Sequence, residues 1–272
     1  MHGATLQNSI NIHHLTRVEG HGDITVVIRD GSLEEVRFSV VEAPRFFEAF
    51  LRDRNYMEVA HLASRICGIC AVSHRGAALK AIEAAFDAEI SDQSRLLRRL
   101  AFHGEVLSSH ILHIYFLAAP DYLGTPSILH WAEQDRETVL RAMRLKKLAY
   151  DLCEWAIGRH THPVAMNVGG FPFVHDVGRL VPLRERLADG MEDIRHTASL
   201  FSSFSLPDFE RETEYVSLRH PEHYAFYEGD IVSSEGDRVP PGQYMDFIRE
   251  YIVSYSTAKY ARWNRPQYMV GA

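Results

Sequence analysis

Two cysteines and a histidine lie close together in RICGICAVSH, residues 65 to 74. Cys67 and Cys70 are three residues apart, and His74 follows four residues after Cys70. If a helix begins near Cys70, then Cys70 and His74 lie on one face of it. A helix N-terminus favours thiolates, and Arg65 would add to that effect. Gly68 is expected to relax the backbone between the thiols. This arrangement suits a soft transition metal.

The spacing alone leaves other uses of the thiols open. A structural zinc site needs four ligands, and Cys153 is the only further cysteine. A thioredoxin-like redox pair would lie in a βαβ context, which the pattern lacks. Two buried cysteines that only pack are a third alternative, and Cys153 on an apolar helix face is expected to be of that kind. The motif therefore predicts a thiolate metal site without naming the metal.

Composition limits the class of protein. The chain has 272 residues, of which 46% are hydrophobic, so it can bury a sizeable core. Its net charge of -7 gives no reason to expect nucleic-acid binding. No apolar run approaches the roughly 18 residues of a membrane span, and the N-terminus lacks the pattern of a signal peptide. We therefore expect a cytoplasmic protein, in which disulfides are rare.

The pattern of apolar residues predicts an α+β fold that is mainly α. A small N-terminal antiparallel β region is expected to pack on a bundle of long helices, and these elements must position the thiols. We expect a single domain over 1–272, with the β region at 1–45 and a helical body at 46–272. Strands at 23–29 and 36–40 are joined by an Asp30-Gly31 turn. A long helix capped by Ser91 is expected to end near Pro120 and to bury Leu96, Leu97, Leu100, Val106, Leu107 and Ile111. The last helix is predicted over 244–263.

RICGIC followed by VSH resembles the first cysteine motif, RxCGxCxxxH, of the large (catalytic) subunit of [NiFe]-hydrogenases. Further segments resemble that family in the same order: LTRVEGHG, EAPRFFEAFLR, SSHILHIYFLAAPDYLG, GRHTHPVAMNVGGF, PEHYAFYEGDIVSSEGD and YSTAKYARWNRPQYMVGA. The likeness covers essentially the whole chain. These segments resemble those of the cytoplasmic, multi-subunit branch of the family. Members of that branch reduce NAD(P), F420, methyl viologen or heterodisulfide/ferredoxin partners. The resemblance implies a [NiFe]-hydrogenase large-subunit-like fold.

The resemblance also implies catalytic roles. Cys67 would be a terminal nickel thiolate, and Cys70 would bridge nickel to an iron that holds CO and cyanide. His74 would hydrogen-bond near the bridging sulfur. Glu19 would relay the proton that H2 cleavage releases at a thiolate, although Glu19-Gly20 before a strand is also an ordinary turn.

Three further residues receive supporting roles. Glu48 would help to hold a structural divalent cation, with Mg2+ the expected ion, although a glutamate on a short amphipathic helix is often simply solvated. His162 would lie near the small-subunit interface, and Arg65 beside the metal site. The chain has too few cysteines for Fe–S clusters of its own. The implied partners are H2, further electron-transfer subunits and a small subunit with Fe–S clusters.

The family's second cysteine motif, DPCxxCxxH, does not occur in these 272 residues. A nickel ion bound by four thiolates cannot form from two. The sequence stops at QYMVGA, within a segment that continues in the family, so we expect a truncated or split large subunit that is inactive alone. The alternatives are a non-catalytic scaffold like the related subunit of respiratory complex I, and a zinc-binding or assembly protein that uses the CxxC pair.

Overall fold

The computed structural model describes residues 7–265 and 267–270, and the chain divides into two compact units. One unit comprises residues 1–52 and 211–272, and the other comprises residues 53–210. Within the described residues, none of the helices is both long and apolar enough to span a membrane.

The first unit begins with an antiparallel sheet in the order β1–β2–β3, formed by Gln7–Ile12, Gly22–Arg29 and Ser32–Val40. Arg29 pairs with Ser32 across the predicted two-residue turn. Both turn residues have positive φ, +48° at Asp30 and +79° at Gly31, which is the conformation that a tight hairpin requires. The predicted β2–β3 hairpin is therefore confirmed, whereas β1 was not predicted. A short helix, α1 (Arg45–Leu51), follows the sheet.

The second unit is helical. Its helices are α2 (Tyr56–Ala63), α3 (Ala71–Phe86), α4 (Asp92–Ile111), α5 (Ala119–Leu123), α6 (Arg136–Ile157) and α7 (Leu180–Ser202). A π-helical stretch, Leu112–Ala118, joins α4 to α5, and short 3-10 turns occupy His130–Glu133 and Val177–Arg179. The chain stays helical past Pro120 because this proline lies in the first turn of α5, where its missing N–H is tolerated. The predicted stop near Pro120 is wrong.

The core of the helical unit lies between α4, α6 and α7. Gly104 on α4 allows α6 to approach closely, since a Cβ at this position would lie 2.7 Å from Cys153 Sγ. Cys153 is 1% exposed and is a packing residue, as predicted. Farther along, one buried cluster joins the π-helical stretch to α6, and it contains Ile111, Tyr115, Ala119, Ile128, Val139, Ala142 and Leu145.

The buried face of α4 differs from the predicted one. Ser91 caps the helix as expected, accepting a hydrogen bond from Ser94 N, and Ile111 is buried. Leu96, however, is 59% exposed, while Arg98 and Glu105 are buried. An apolar stripe alone therefore misplaces this face, because two charged side chains find partners in the interior.

The C-terminal part of the first unit consists of short strands rather than helix. Strands β4 (Glu214–Arg219), β5 (Asp230–Ser233), β6 (Arg238–Val239) and β9 (Tyr268–Val270) form a sheet in the order β6–β5–β4–β9, and β7 (Arg249–Tyr251) pairs with β8 (Tyr260–Arg262). A 3-10 turn (Pro241–Gln243) and the four-residue α8 (Tyr244–Phe247) precede β7. The prediction of a final helix over 244–263 is therefore wrong, and so is the extension of the helical body to the C-terminus.

Candidate metal centre

The two predicted metal thiols lie where α2 gives way to α3. Cys67 lies between the two helices, and Cys70 is the residue that precedes the first turn of α3. The Sγ atom of Cys67 lies 3.3 Å from Ile69 N and 3.2 Å from Cys70 N, so two backbone N–H groups point at one sulfur. Cys67 is buried and Cys70 is half-buried. The turn thus holds the Cys67 sulfur in a defined position just before α3.

Gly68 is not required by the backbone at this turn. A Cβ atom there would meet no other atom within 4 Å, and φ at Gly68 lies outside the left-handed region. The expectation that this glycine relaxes the backbone is therefore wrong. The contacts that the turn does make are the two backbone N–H groups donated to Cys67 Sγ.

His74 lies one helical turn beyond Cys70, as the spacing predicts. Its backbone N–H donates to Cys70 O at an N–O distance of 3.2 Å, the i to i+4 contact of an α-helix. The side chain is half-buried. Burial lowers the pKa of His74, which favours the neutral imidazole. A neutral ring can make a hydrogen bond beside the thiols without adding a charge.

A buried carboxylate holds the first turn of α3. Glu105, on α4, accepts from Val72 N at 2.6 Å, from Ser73 N at 3.0 Å and from Ser73 Oγ at 2.5 Å. These amides belong to the helix N-terminus that follows Cys70, where a negative charge is favoured. Burial raises the pKa of Glu105, although its hydrogen bonds oppose the rise. Glu105 therefore satisfies the orphan N–H groups of the turn that positions Cys70.

Hydrogen bonds and a buried ion pair connect the rest of α3 to α4 and to the loop that follows α6. Arg75 Nε donates to Met166 O at 2.6 Å. Glu83, farther along the same helix, forms a buried pair with Arg98 of α4, with N–O distances of 2.6 and 2.8 Å. Arg98 also donates to Asn167 O at 2.8 Å, and Gly169 N donates to Glu83. Buried charged side chains thus hold α3 in place along its length. The sequence pattern did not identify any of them.

His162 contacts the chain segment that leads to the cysteine turn, whereas Arg65 belongs to that segment. His162, in the loop after α6, has a φ of +51°, and its Nδ1 donates to Ser64 O over 2.7 Å. Ser64 immediately follows α2, so this contact ties the loop to the chain segment that leads to Cys67. Arg65 is exposed. The predicted residues of the helical unit therefore gather around the α2–α3 junction.

Glu19 and Glu48 belong to the first unit. Glu19 is exposed in the segment between β1 and β2, next to Gly20, whose φ is +83°. Glu48 lies on α1, and its Oε1 is 2.7 Å from Lys259 Nζ. Hydrogen bonding to Lys259 lowers the pKa of Glu48. Lys259 also lies 3.0 Å from Glu250 Oε2, so an ammonium group occupies the place between these two carboxylates.

The donor atoms present fit half of a nickel–iron centre. Cys67 and Cys70 offer two sulfur ligands, the atom type that soft transition metals select. Cys153 cannot join them as a ready thiolate, because burial raises the pKa of its thiol to about 12 and its Sγ is packed 3.8 Å from Ala101 O. A four-thiolate nickel site would therefore need two thiols from outside these 272 residues.

The chain is similar to nickel-dependent hydrogenases. A family model described as nickel-dependent hydrogenase matches residues 45–148, which include both cysteines, and a HoxL-like model matches residues 9–43. The alpha chain of sulfhydrogenase 2 of Pyrococcus furiosus is 32% identical over 263 residues, which cover 97% of this chain and 61% of that protein. One subunit of the F420-non-reducing hydrogenase of Methanothermobacter marburgensis is 32% identical over 276 residues, covering 92% of this chain and 57% of that protein.

The fold is that of hydrogenase large subunits. The crystal structure of an NAD+-reducing [NiFe]-hydrogenase in the H2-reduced state superposes with a TM-score of 0.84 at 27% identity, covering 94% of this chain and 62% of that chain. A Dm. baculatum [NiFeSe]-hydrogenase at 22% identity shares the fold, with a TM-score of 0.73. The chain belongs to the nickel-dependent hydrogenase large-subunit family. It spans about three fifths of the length of these relatives.

Proposed function

We propose that this chain supplies the Cys67–Cys70 half of a nickel–iron centre in a hydrogenase that interconverts H2 with two protons and two electrons. The observation that supports this most strongly is the Cys67 sulfur, which accepts two backbone N–H groups at the start of the helix that continues to His74. A thiol that only packs, such as Cys153, lacks this arrangement. The chain is proposed to act as one large-subunit domain.

The proposed roles follow the family motif. Cys67 and Cys70 would hold the nickel–iron centre as thiolates, Cys67 as a terminal ligand of nickel and Cys70 as a ligand shared with an iron that carries CO and cyanide. When bound, that centre supplies heterolytic cleavage of H2. His74 hydrogen-bonds beside the Cys70 sulfur as a neutral imidazole, consistent with its lowered pKa. The Cys67 sulfur would keep its two amide hydrogen bonds in this role.

Glu19 is the proposed proton acceptor, and this rests on the LTRVEGHG segment. A carboxylate with an unhindered path to solvent can take up a proton and release it. Replacement by Gln keeps the shape but cannot carry a proton. In a preparation co-expressed with the small subunit and a polypeptide that contains a DPCxxCxxH motif, we expect Glu19→Gln to leave the metal content unchanged and to lower H2-dependent dye reduction roughly 100-fold or more. Equal loss of metal and activity would instead assign Glu19 a structural role.

The remaining assignments concern metals and partners. A Mg2+ ion at Glu48 would have to displace Lys259, since the ammonium group already contacts this carboxylate. Electrons are proposed to leave through an Fe–S small subunit, with His162 and Arg65 near that interface. The named relatives are subunits of sulfhydrogenases and of F420-non-reducing hydrogenases, so a cytoplasmic complex with further electron-transfer subunits is proposed for this chain as well.

The test supplies the missing thiols in trans. The 272-residue polypeptide is purified alone, and also after co-expression with two partners, a polypeptide that contains a DPCxxCxxH motif and the small subunit. We expect nickel and H2-dependent dye reduction only in the second preparation. Cys67→Ser and Cys70→Ser should abolish both, whereas Cys153→Ser, the matched control, should keep both. Stoichiometric nickel and activity in the polypeptide alone would overturn the proposal.

A further inference from the structure

A second group of metal-binding side chains lies far along the chain, in the loop that joins β4 to β5. His220, His223 and Glu228 each place one ligand atom within 4.8 Å of the others, and all three are half-buried. The loop belongs to the segment that resembles the hydrogenase family, but no role was predicted for these side chains. They share no residue with the Cys67–Cys70 centre.

The ends of this loop are held together by backbone structure. Arg219, just before His220, pairs with Asp230 in the β4–β5 ladder. Gly229 has a φ of +147°, and a Cβ atom there would lie 2.8 Å from Arg219 O. Only glycine permits this approach. His220 and Glu228, the neighbours of Arg219 and Gly229, are therefore brought side by side by the sheet itself.

His223 completes the group through a short turn. The imidazole rings of His220 and His223 stack with centroids 3.6 Å apart and an interplanar angle of 27°. Glu222 N donates to His220 Nδ1 at 3.2 Å, which fixes the turn between the two histidines. The HxxH spacing thus produces two adjacent rings at one end of the closed loop.

We infer that His220, His223 and Glu228 bind one divalent transition-metal cation. Two imidazoles and one carboxylate form a ligand set that zinc takes when it keeps a further coordination position open. A ligating imidazole holds the metal near its own ring plane, so the stacked rings must turn relative to each other. The terminal torsion of a histidine side chain is soft, which allows this rotation.

Binding also has a defined consequence for the turn. In the neutral His220 ring, the nitrogen that accepts from Glu222 N carries no proton, so Nε2 carries it. If His220 binds the cation through Nε2, its proton would have to lie on Nδ1, and the hydrogen bond from Glu222 N would be lost. The site therefore exchanges one backbone contact for three metal bonds that link the two ends of the loop.

The test must separate this site from the thiol pair, because a CxxC pair also binds zinc. The untagged chain with Cys67→Ser and Cys70→Ser is titrated with Zn2+ alone. We expect it to bind one equivalent, and we expect its melting temperature to rise with zinc. Absence of zinc binding to this double variant would overturn the inference.

Variants of the loop then assign the ligands. In the same background, His223→Ala and Glu228→Gln should each weaken zinc binding by more than the roughly 10–100-fold that loss of an outer-shell partner causes. Glu222→Gln, which changes an exposed carboxylate on the same loop, is the matched control and should leave affinity within a few-fold. Circular dichroism without zinc checks that each variant folds. Unchanged zinc affinity in both His223→Ala and Glu228→Gln would contradict the assignment, and this outcome would leave the hydrogenase proposal intact.

Discussion

Charged side chains are buried around α3 and exposed around Glu48. Along α3, Arg98 is fully buried, and Glu83 and Glu105 are less than a tenth exposed. Around Glu48 the charges lie at the surface, where Lys259 is 29% and Glu48 50% exposed. A buried charge must be satisfied in one geometry, whereas water can replace the partner of an exposed one. The buried set therefore fixes the helix that positions Cys70, and the exposed set does not fix α1 in the same way.

The largest effect is expected from Arg98. Arg98→Ala leaves the Glu83 carboxylate buried without its cation, which should lower the free energy of unfolding by about 3–5 kcal/mol. Urea unfolding measures this difference. The matched control is Arg186→Ala, which removes an exposed ion pair with Asp151 and should change stability by no more than about 1 kcal/mol. Equal losses of stability in the two variants would contradict the expected difference between buried and exposed charges.

Loss of the Glu105 carboxylate should have the next largest effect. Glu105→Ala removes the acceptor of Val72 N and Ser73 N at the N-terminus of α3, and we expect a loss of about 1–3 kcal/mol. Ser73→Ala removes only the hydroxyl contact and should cost about 1 kcal/mol or less. If Glu105 positions the thiol turn, Glu105→Ala also weakens metal binding at Cys67 and Cys70. Unchanged metal affinity would restrict Glu105 to stability alone.

A smaller, pH-dependent effect is expected at Glu83. Burial opposes ionisation, but the hydrogen bonds from Arg98 and Gly169 N prevail and lower the pKa of Glu83 below its ordinary 4.5. Since the folded pKa is lowered, this stabilisation is present above pH 4.5 and is lost as the pH falls through the folded pKa. The stability difference between the wild type and Glu83→Gln should therefore shrink on acidification. A difference that stays constant from pH 7 to pH 3 would contradict this linkage.

The smallest effect is expected at the exposed pairs. Lys259→Met removes the contacts to Glu48 and Glu250 and should change the free energy of unfolding less than Arg98→Ala or Glu105→Ala does. Salt should reduce even that difference, since exposed charges are screened. Unfolding at low and high ionic strength measures it. An effect as large as that of Arg98→Ala, unchanged by salt, would place Lys259 with the buried charges.

Much of the thiol region could be predicted from local sequence, because its geometry is local. The spacing of Cys70 and His74 predicted their positions one turn apart in α3, and the capped apolar segment after Ser91 predicted α4. The sequence did not reveal Arg98 and Glu105, because they resemble ordinary surface residues of an amphipathic helix. Their burial depends on partners 15 to 69 residues away, which no local pattern contains.

The C-terminal segment also shows that local sequence patterns do not include long-range contacts. Its aromatic and apolar spacing suggested a helix over 244–263. In the structure, Thr257 N donates to Val40 O and Tyr260 OH donates to Phe38 O, so β3 determines the path of this segment. Contacts with a strand more than 200 residues earlier override the local preference.

The central claim is that Cys67 and Cys70 are metal thiolates and that Cys153 is not. Titration of the purified chain with Co2+ tests this directly, since only thiolate ligands give sulfur-to-cobalt charge transfer in the near ultraviolet. We expect the full band in the wild type and in Cys153→Ser, a weaker band in Cys67→Ser and in Cys70→Ser, and its loss when both are replaced. A full band in the double variant Cys67→Ser/Cys70→Ser, or a band that disappears in Cys153→Ser, would contradict the account.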